Sequence, residues 1–249
     1  MLRWLWFLLV PTPTLLLLAS ASAEPEAFDL GPQRLVLVPI NLGVRPQAEV
    51  EPGLEPVWNE ILAHFGGSGE RRVTALERKS ALALWNEVRH GLRGQRRNDV
   101  YAAYSEYARR ISDQLDYGMI VFPSLVVQTA DLMGTTAAWD GVRRPIDAPL
   151  VGQETIQAVM GPDLLVSKVG VRGEIAGASL HVAVLDGDGR LRFEGAGGLT
   201  LLHELVRGEV RDDARLEVAL RPDAFSDPEE LREGVEAAFR EPLPASRAR

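Results

Sequence analysis

Cysteine is absent from the 249 residues. Its absence excludes disulfides, thiolate metal sites, cysteine nucleophiles and a lipidated amino-terminal cysteine. Lysine is nearly absent too. Of 27 basic residues only Lys79 and Lys168 are lysine, which reads as the codon bias of a GC-rich bacterial genome and not as a guanidinium-specific function. The familiar catalytic signatures are also missing. Of the four histidines, His64, His90, His181 and His203, none opens an H-E-x-x-H, because Glu204-Leu205-Val206-Arg207 follows His203. There is no G-x-S-x-G nucleophile elbow. Gly66-Gly67-Ser68-Gly69 follows a helical segment and lacks the Lys-Ser/Thr pair that reaches phosphates, so it reads as a helix stop. Asp186-Gly187-Asp188-Gly189 starts like a calcium loop, but the twelfth position holds Gly197 where a bidentate glutamate is needed. A hairpin turn accounts for both Asp-Gly pairs. No metal and no cofactor is expected.

What is present is ordinary for a globular chain: 46% hydrophobic and 25% charged residues, with length for one large domain or two small ones. Arg3 is the one charged residue before Glu24, so the remainder holds all 35 acidic residues against the other 26 of the 27 basic ones, net −9. That balance argues against a nucleic-acid partner.

Residues 1–23 (MLRWLWFLLVPTPTLLLLASASA) read as a signal peptide. Arg3 supplies the positive end, Trp4–Val10 and Leu15–Leu18 the apolar region, and Ala21-Ser22-Ala23 the cleavage site. The alternative, an uncleaved anchor, is disfavoured by Pro11 and Pro13, which interrupt a spanning helix of about 20 residues. Cleavage after Ala23 would leave a periplasmic or secreted protein with no stable membrane insertion. We expect a single α/β domain over 28–241 and a flexible tail over 242–249.

Along the chain, Arg34–Ile40 is an apolar run suited to a strand buried on both faces. Leu54, Val57, Trp58, Ile61, Leu62 and Phe65 then form one helical stripe, ended by Gly66-Gly67. A short extended piece (Arg72–Leu76) leads to two further helices. One spans about Lys79–Leu92, with Leu82, Trp85, Val88 and Leu92 inward. The other spans about Asp99–Leu115, with Val100, Tyr104, Tyr107, Ile111 and Leu115 inward. Tyr117–Val127 is a second buried strand in which Pro123 implies a bulge or an edge. Trp139-Asp140-Gly141 offers a hairpin turn, and Pro145–Gly177 is the least legible stretch. Leu180–Leu185 and Leu191–Leu202 flank the Asp-Gly turn as a hairpin. A last helix starts near Pro228, capped by Ser226, with Leu231, Val235, Ala238 and Phe239 inward. The order β-α-β-α-α-β, then hairpins and a carboxyl-terminal helix, indicates an α/β (α+β) fold: one mixed sheet with helices in a three-layer-like sandwich.

The strand ending in Pro39, the helix after it, then Arg72-Val73-Thr74-Ala75-Leu76-Glu77-Arg78 and Ala83-Leu84-Trp85-Asn86-Glu87-Val88 carry a resemblance. This layout resembles the curli-secretion-type envelope lipoproteins and the amino-terminal domain of the Tol-system β-propeller protein. The resemblance spans about half the chain. It implies a non-enzymatic envelope domain working by protein contacts. The chain departs from the lipoproteins in lacking their cysteine and in offering only Leu164–Val171 as alternation, short of a pore-forming strand. No functional residue transfers.

Two segments have the composition of a contact surface. Arg89–Arg97 is the densest positive run; Arg93, Arg96 and Arg97 suit an acidic partner or anionic lipid, or else merely complement a helix end. Trp139, Arg143 and Arg144 combine an aromatic with two arginine forks beside a turn, as interface hot spots do. The alternative is a tryptophan packed on the sheet. The expected function is an exported, non-catalytic envelope protein that binds another envelope protein or itself. The competing expectation is an exported hydrolase whose site assembles distant residues such as His181, His203 and Asp186.

Overall fold

The computed structural model describes residues 34–66, 72–92, 94, 99–146, 159–160, 164–167, 170–207 and 216–240. The address segment (1–23), Arg93, Arg96, Arg97 and the tail over 242–249 lie outside the described residues.

The short apolar strand β1 (Leu35–Leu37) pairs in parallel with β2 (Val73–Ala75) on one edge and with the start of β3 (Met119–Gly134) on the other. Helix α1 (Leu54–Gly66) joins β1 to β2, while α2 (Arg78–Gly91) and α3 (Val100–Ser112) join β2 to β3. These two crossovers run in opposite directions across the sheet. With the usual right-handed connection they must therefore cover opposite faces. Alternation along β1 shows that they do. Leu35 and Leu37 pack with Val57, Ile61 and Phe65 of α1. Val36 and Val38 pack with Trp85 of α2 and with Tyr104 and Tyr107 of α3.

Beyond this parallel trio the sheet is antiparallel. All 16 residues of β3 pair with β8 (Gly170–Asp186). The end of β3 also pairs with β4 (Thr136–Trp139), which turns into β5 (Val142–Pro145). The other edge of β8 is shared by β7 (Leu164–Ser167), itself paired to β6 (Val159–Met160), and by β9 (Leu191–Leu201). These nine strands form one mixed sheet, and β10 (His203–Arg207) with β11 (Leu216–Leu220) forms a separate antiparallel pair. Helix α4 (Pro228–Arg240) returns to the face that carries α1, through Leu231, Val235, Ala238 and Phe239. The architecture is the α/β sandwich expected, with helices on both faces of a mixed sheet.

Local chemistry explains the punctuation. Asp140 and Gly141 hold φ of 37° and 78°, as a two-residue type I′ hairpin loop requires. Asp186 accepts the Arg190 N–H at 2.9 Å inside the β8–β9 turn. Pro123 sits within β3 and costs no ladder bond. Its carbonyl, and hence its missing N–H, faces the edge where β1 has already ended, and Asn41 N–H donates to that carbonyl at 3.1 Å. Asp99 caps α3 by accepting from Tyr101 and Ala102 N–H. At α4 the cap is Asp227, not Ser226: Asp227 Oδ1 accepts from Glu229 N–H at 2.9 Å, while Ser226 Oγ donates to the Asp223 carbonyl. Pro228 at the first helical position moves the cap one residue later than the Ser-x-x-Glu spacing implies.

Of the two tryptophans on helical stripes, Trp85 is buried between Tyr104 and Tyr107. Trp58 is only partly buried and flanks the α1–α4 core from its margin.

Helix α4 approaches β9 backbone to backbone. A methyl group at Gly197 would strike the Gly234 carbonyl, and one at Gly234 would strike the Gly198 carbonyl. Gly→Ala at an open helical position stabilises by about 1 kcal/mol. Here Gly234→Ala should do the reverse and destabilise by about 1–3 kcal/mol, the usual cost of overpacking. Denaturant unfolding of the purified domain checks the sign.

Candidate functional site

One face of the β3–β8 ladder is apolar at both ends and polar in the middle. Near α2 and α3 it presents Ile120, Phe122, Ala183 and Leu185. At the far end it presents Ala130, Leu132 and Ile175, covered by Trp139. Residues between them on the same alternation are Ser124, Val126 and Gln128 of β3 and Ser179 and His181 of β8. Ser179 is fully buried, and the part of this section that neither helices nor hairpin cover is a cleft of about 440 Å³ floored by Ser124, Val126 and His181. Tyr101 and Tyr104 of α3 wall one side, and the Asn41–Gln47 loop walls another. That loop leaves the carboxyl end of β1 beside β3, where the two oppositely directed crossovers meet. Open α/β sheets bind their ligands beside such a switch point.

The cleft walls are held by specific bonds. Asn41, buried and at φ 54°, takes the place of a strand at the β3 edge. Its side chain accepts from Leu125 N–H at 2.8 Å and donates to the Leu125 carbonyl at 3.0 Å. Gln47 Oε1 continues the same edge by accepting from Val127 N–H at 2.9 Å. On the other side Tyr101 donates its hydroxyl to Glu194 of β9. Burial pushes the Tyr101 hydroxyl well above the usual phenol range, and its Glu194 partner pushes the same way. Burial also raises Tyr104, with the facing Ser124 side chain partly offsetting the rise. Both phenols therefore stay neutral donors near pH 7.

At the inner end, His181 Nε2 lies 3.4 Å from Asp140 Oδ2 and 3.3 Å from the Gln128 amide. The Asp140 side chain is 2% exposed, and its carbonyl accepts Gly198 N–H. Ser124 and His181 are directly opposed across the β3–β8 register, a neighbourhood that the sequence could not reveal. A scan against protein-family models and a search of curated proteins found no match for this chain.

The six residues singled out from sequence are distributed otherwise. Trp139 is 6% exposed, with its indole N–H donating to the Ala178 carbonyl at 3.2 Å. It packs on the sheet over Gly177 and Gly198, neither of which leaves room for a side chain beneath it. Arg144, 11% exposed, is bound to Glu233 and to the Glu230 carbonyl of α4, and so ties the β4–β5 hairpin to that helix. Arg143 is exposed on β5. Arg93, Arg96 and Arg97 lie outside the described residues. Trp139 and Arg144 are thus spent inside the fold, and Arg143 alone of that segment faces solvent.

His181, His203 and Asp186 do not form one set. Asp186 pairs with Arg192 at 2.6 Å in the β8–β9 turn. Burial raises its carboxyl, but the Arg190 N–H and the Arg192 guanidinium outweigh that and hold it below the usual range. His203 Nδ1 accepts from Ala176 N–H at 3.3 Å, which requires that nitrogen unprotonated.

Burial lowers His203, against a smaller opposing pull from Glu49. A depressed folded-state pKa contributes stability that is full above the unfolded value of about 6.5 and is lost as pH falls toward the folded value. Stability should therefore decline as pH drops below about 6.5. His203→Gln, which keeps an acceptor for Ala176, should flatten that part of the decline. Denaturant unfolding at a series of pH values measures both slopes.

Proposed function

We propose that the chain is an exported, non-catalytic domain of the cell envelope that acts by binding another envelope component in the cleft over the middle of β3–β8. One observation carries this: a polar floor of Ser124 and His181 on sheet strands, His181 held by Asp140 and Gln128, in the uncovered section of an otherwise apolar sheet face. Such fixed groups hold a ligand without first having to be ordered. Export follows from the address segment. The resemblance to curli-secretion-type and Tol-system envelope domains supports a contact function in that compartment.

The competing hydrolase gains a concrete pair from the register that places Ser124 beside His181. The bonding of that pair favours recognition. His181 Nε2 faces Asp140 and Gln128 at 3.4 and 3.3 Å, and no hydrogen bond joins Ser124 to either ring nitrogen among the described residues.

A photo-crosslinking amino acid at Val126, in the cleft, should capture an envelope component in cells that produce the protein, or a second copy of the chain. The same group at the exposed Leu82 of α2 should not. Equal capture from both positions would overturn the assignment of the cleft. Purified protein that hydrolyses an ester, phosphate or glycoside, with loss of activity in both Ser124→Ala and His181→Ala, would overturn the non-catalytic proposal.

A further inference from the structure

We infer that the occupant of this cleft is a neutral, polyhydroxylated ligand, a saccharide unit of the envelope; the inference rests on the cleft being a binding site. Three observations lead there. The first concerns main-chain pairing. A peptide strand adding to the sheet beside the cleft would need the free edge of β3. Asn41 already holds both groups of Leu125, and Gln47 holds Val127 N–H. Recognition therefore falls to side chains.

The second is charge. Among the described residues the cleft is lined by one exposed cation, Arg45, and one carboxylate, Glu194, with the Asp140 carboxylate behind His181. A strongly anionic ligand would meet Glu194, and a cationic one would meet Arg45. Neither sign of charge is favoured.

The third is the mixture of groups. Tyr101, backed edge to face by the buried Tyr104 that stacks on Phe122, presents aromatic surface beside the apolar Val44 and Pro46. Among them stand a hydroxyl (Ser124), an imidazole (His181) and a carboxylate (Glu194), each able to bond a ligand hydroxyl. Rings against C–H surface, with planar and hydroxyl groups for O–H bonding, are what a sugar offers and requires. A volume of about 440 Å³ lies within the range of small-molecule sites.

The test is saturation-transfer NMR on the full chain with chitotriose and maltotriose, with trialanine as the peptide comparison. Saturation should pass to at least one saccharide, and Kd should rise at least tenfold in both Glu194→Gln and Tyr101→Ala while each variant melts as a folded domain. No transfer to either saccharide, or undiminished affinity in both folded variants, overturns the inference. If the saccharides fail while crosslinking from Val126 persists and is lost in Glu194→Gln, the ligand class is wrong and the binding cleft stands. If crosslinking from Val126 is also absent, the cleft itself falls.

Discussion

The 16-residue pairing of β3 with β8 is the constraint on which the rest of the molecule depends. Each of the two is longer than any other neighbour, so no single strand completes its outer edge. On β3 the outer edge is taken by β1, then by the Asn41 and Gln47 side chains, then by β4. On β8 it is taken by β9 and β7. Each face is likewise too long for one cover. Helices α1 and α4 close one side, while α2, α3 and the Trp139 hairpin share the other and leave a gap between them. The cleft follows from that length. A shorter ladder, covered by α2 and α3 alone, would have no polar middle.

Where β9 meets α4, small residues replace bulk. Gly195 and Gly197 face Gly234 and Ala238 at backbone contact, which brings the helix close enough for Arg144 to reach Glu230 and Glu233 from the opposite hairpin. Arg144, read from its neighbours as a recognition fork, is therefore a strut between layers.

The amino-terminal half was legible because its elements carry strong periodicity. The apolar stripes of α1, α2 and α3 and the buried β1 run stand out, and the order β-α-β-α-α-β follows from them. The length of β8 was not legible. Gly173 to Ser179 reads Gly-Glu-Ile-Ala-Gly-Ala-Ser, with little of the β-branched bulk that marks a strand. Of these, Gly177 leaves the room that Trp139 fills above it. The candidate site was the least legible part. Ser124, His181, Asp140 and Glu194 belong to four separate elements and meet only through strand register and one hairpin turn. A sequence pattern along one element contains none of that, although a polar Ser124 within the otherwise apolar Tyr117–Val127 run was a visible sign. Trp139 and Arg144 were ambiguous for the complementary reason, since hot-spot composition and a packed hairpin anchor use the same residue types.

The central claim is that contact with the envelope is made on the uncovered middle of the β3–β8 face. Amide hydrogen exchange of the purified chain, with and without soluble envelope extract from cells that produce it, addresses this directly. Added protection should concentrate in the Asn41–Gln47 loop, in residues 124–128 and 179–183, and at the start of α3. Protection confined to α2, or to β10 and β11, with the cleft unchanged, would contradict it.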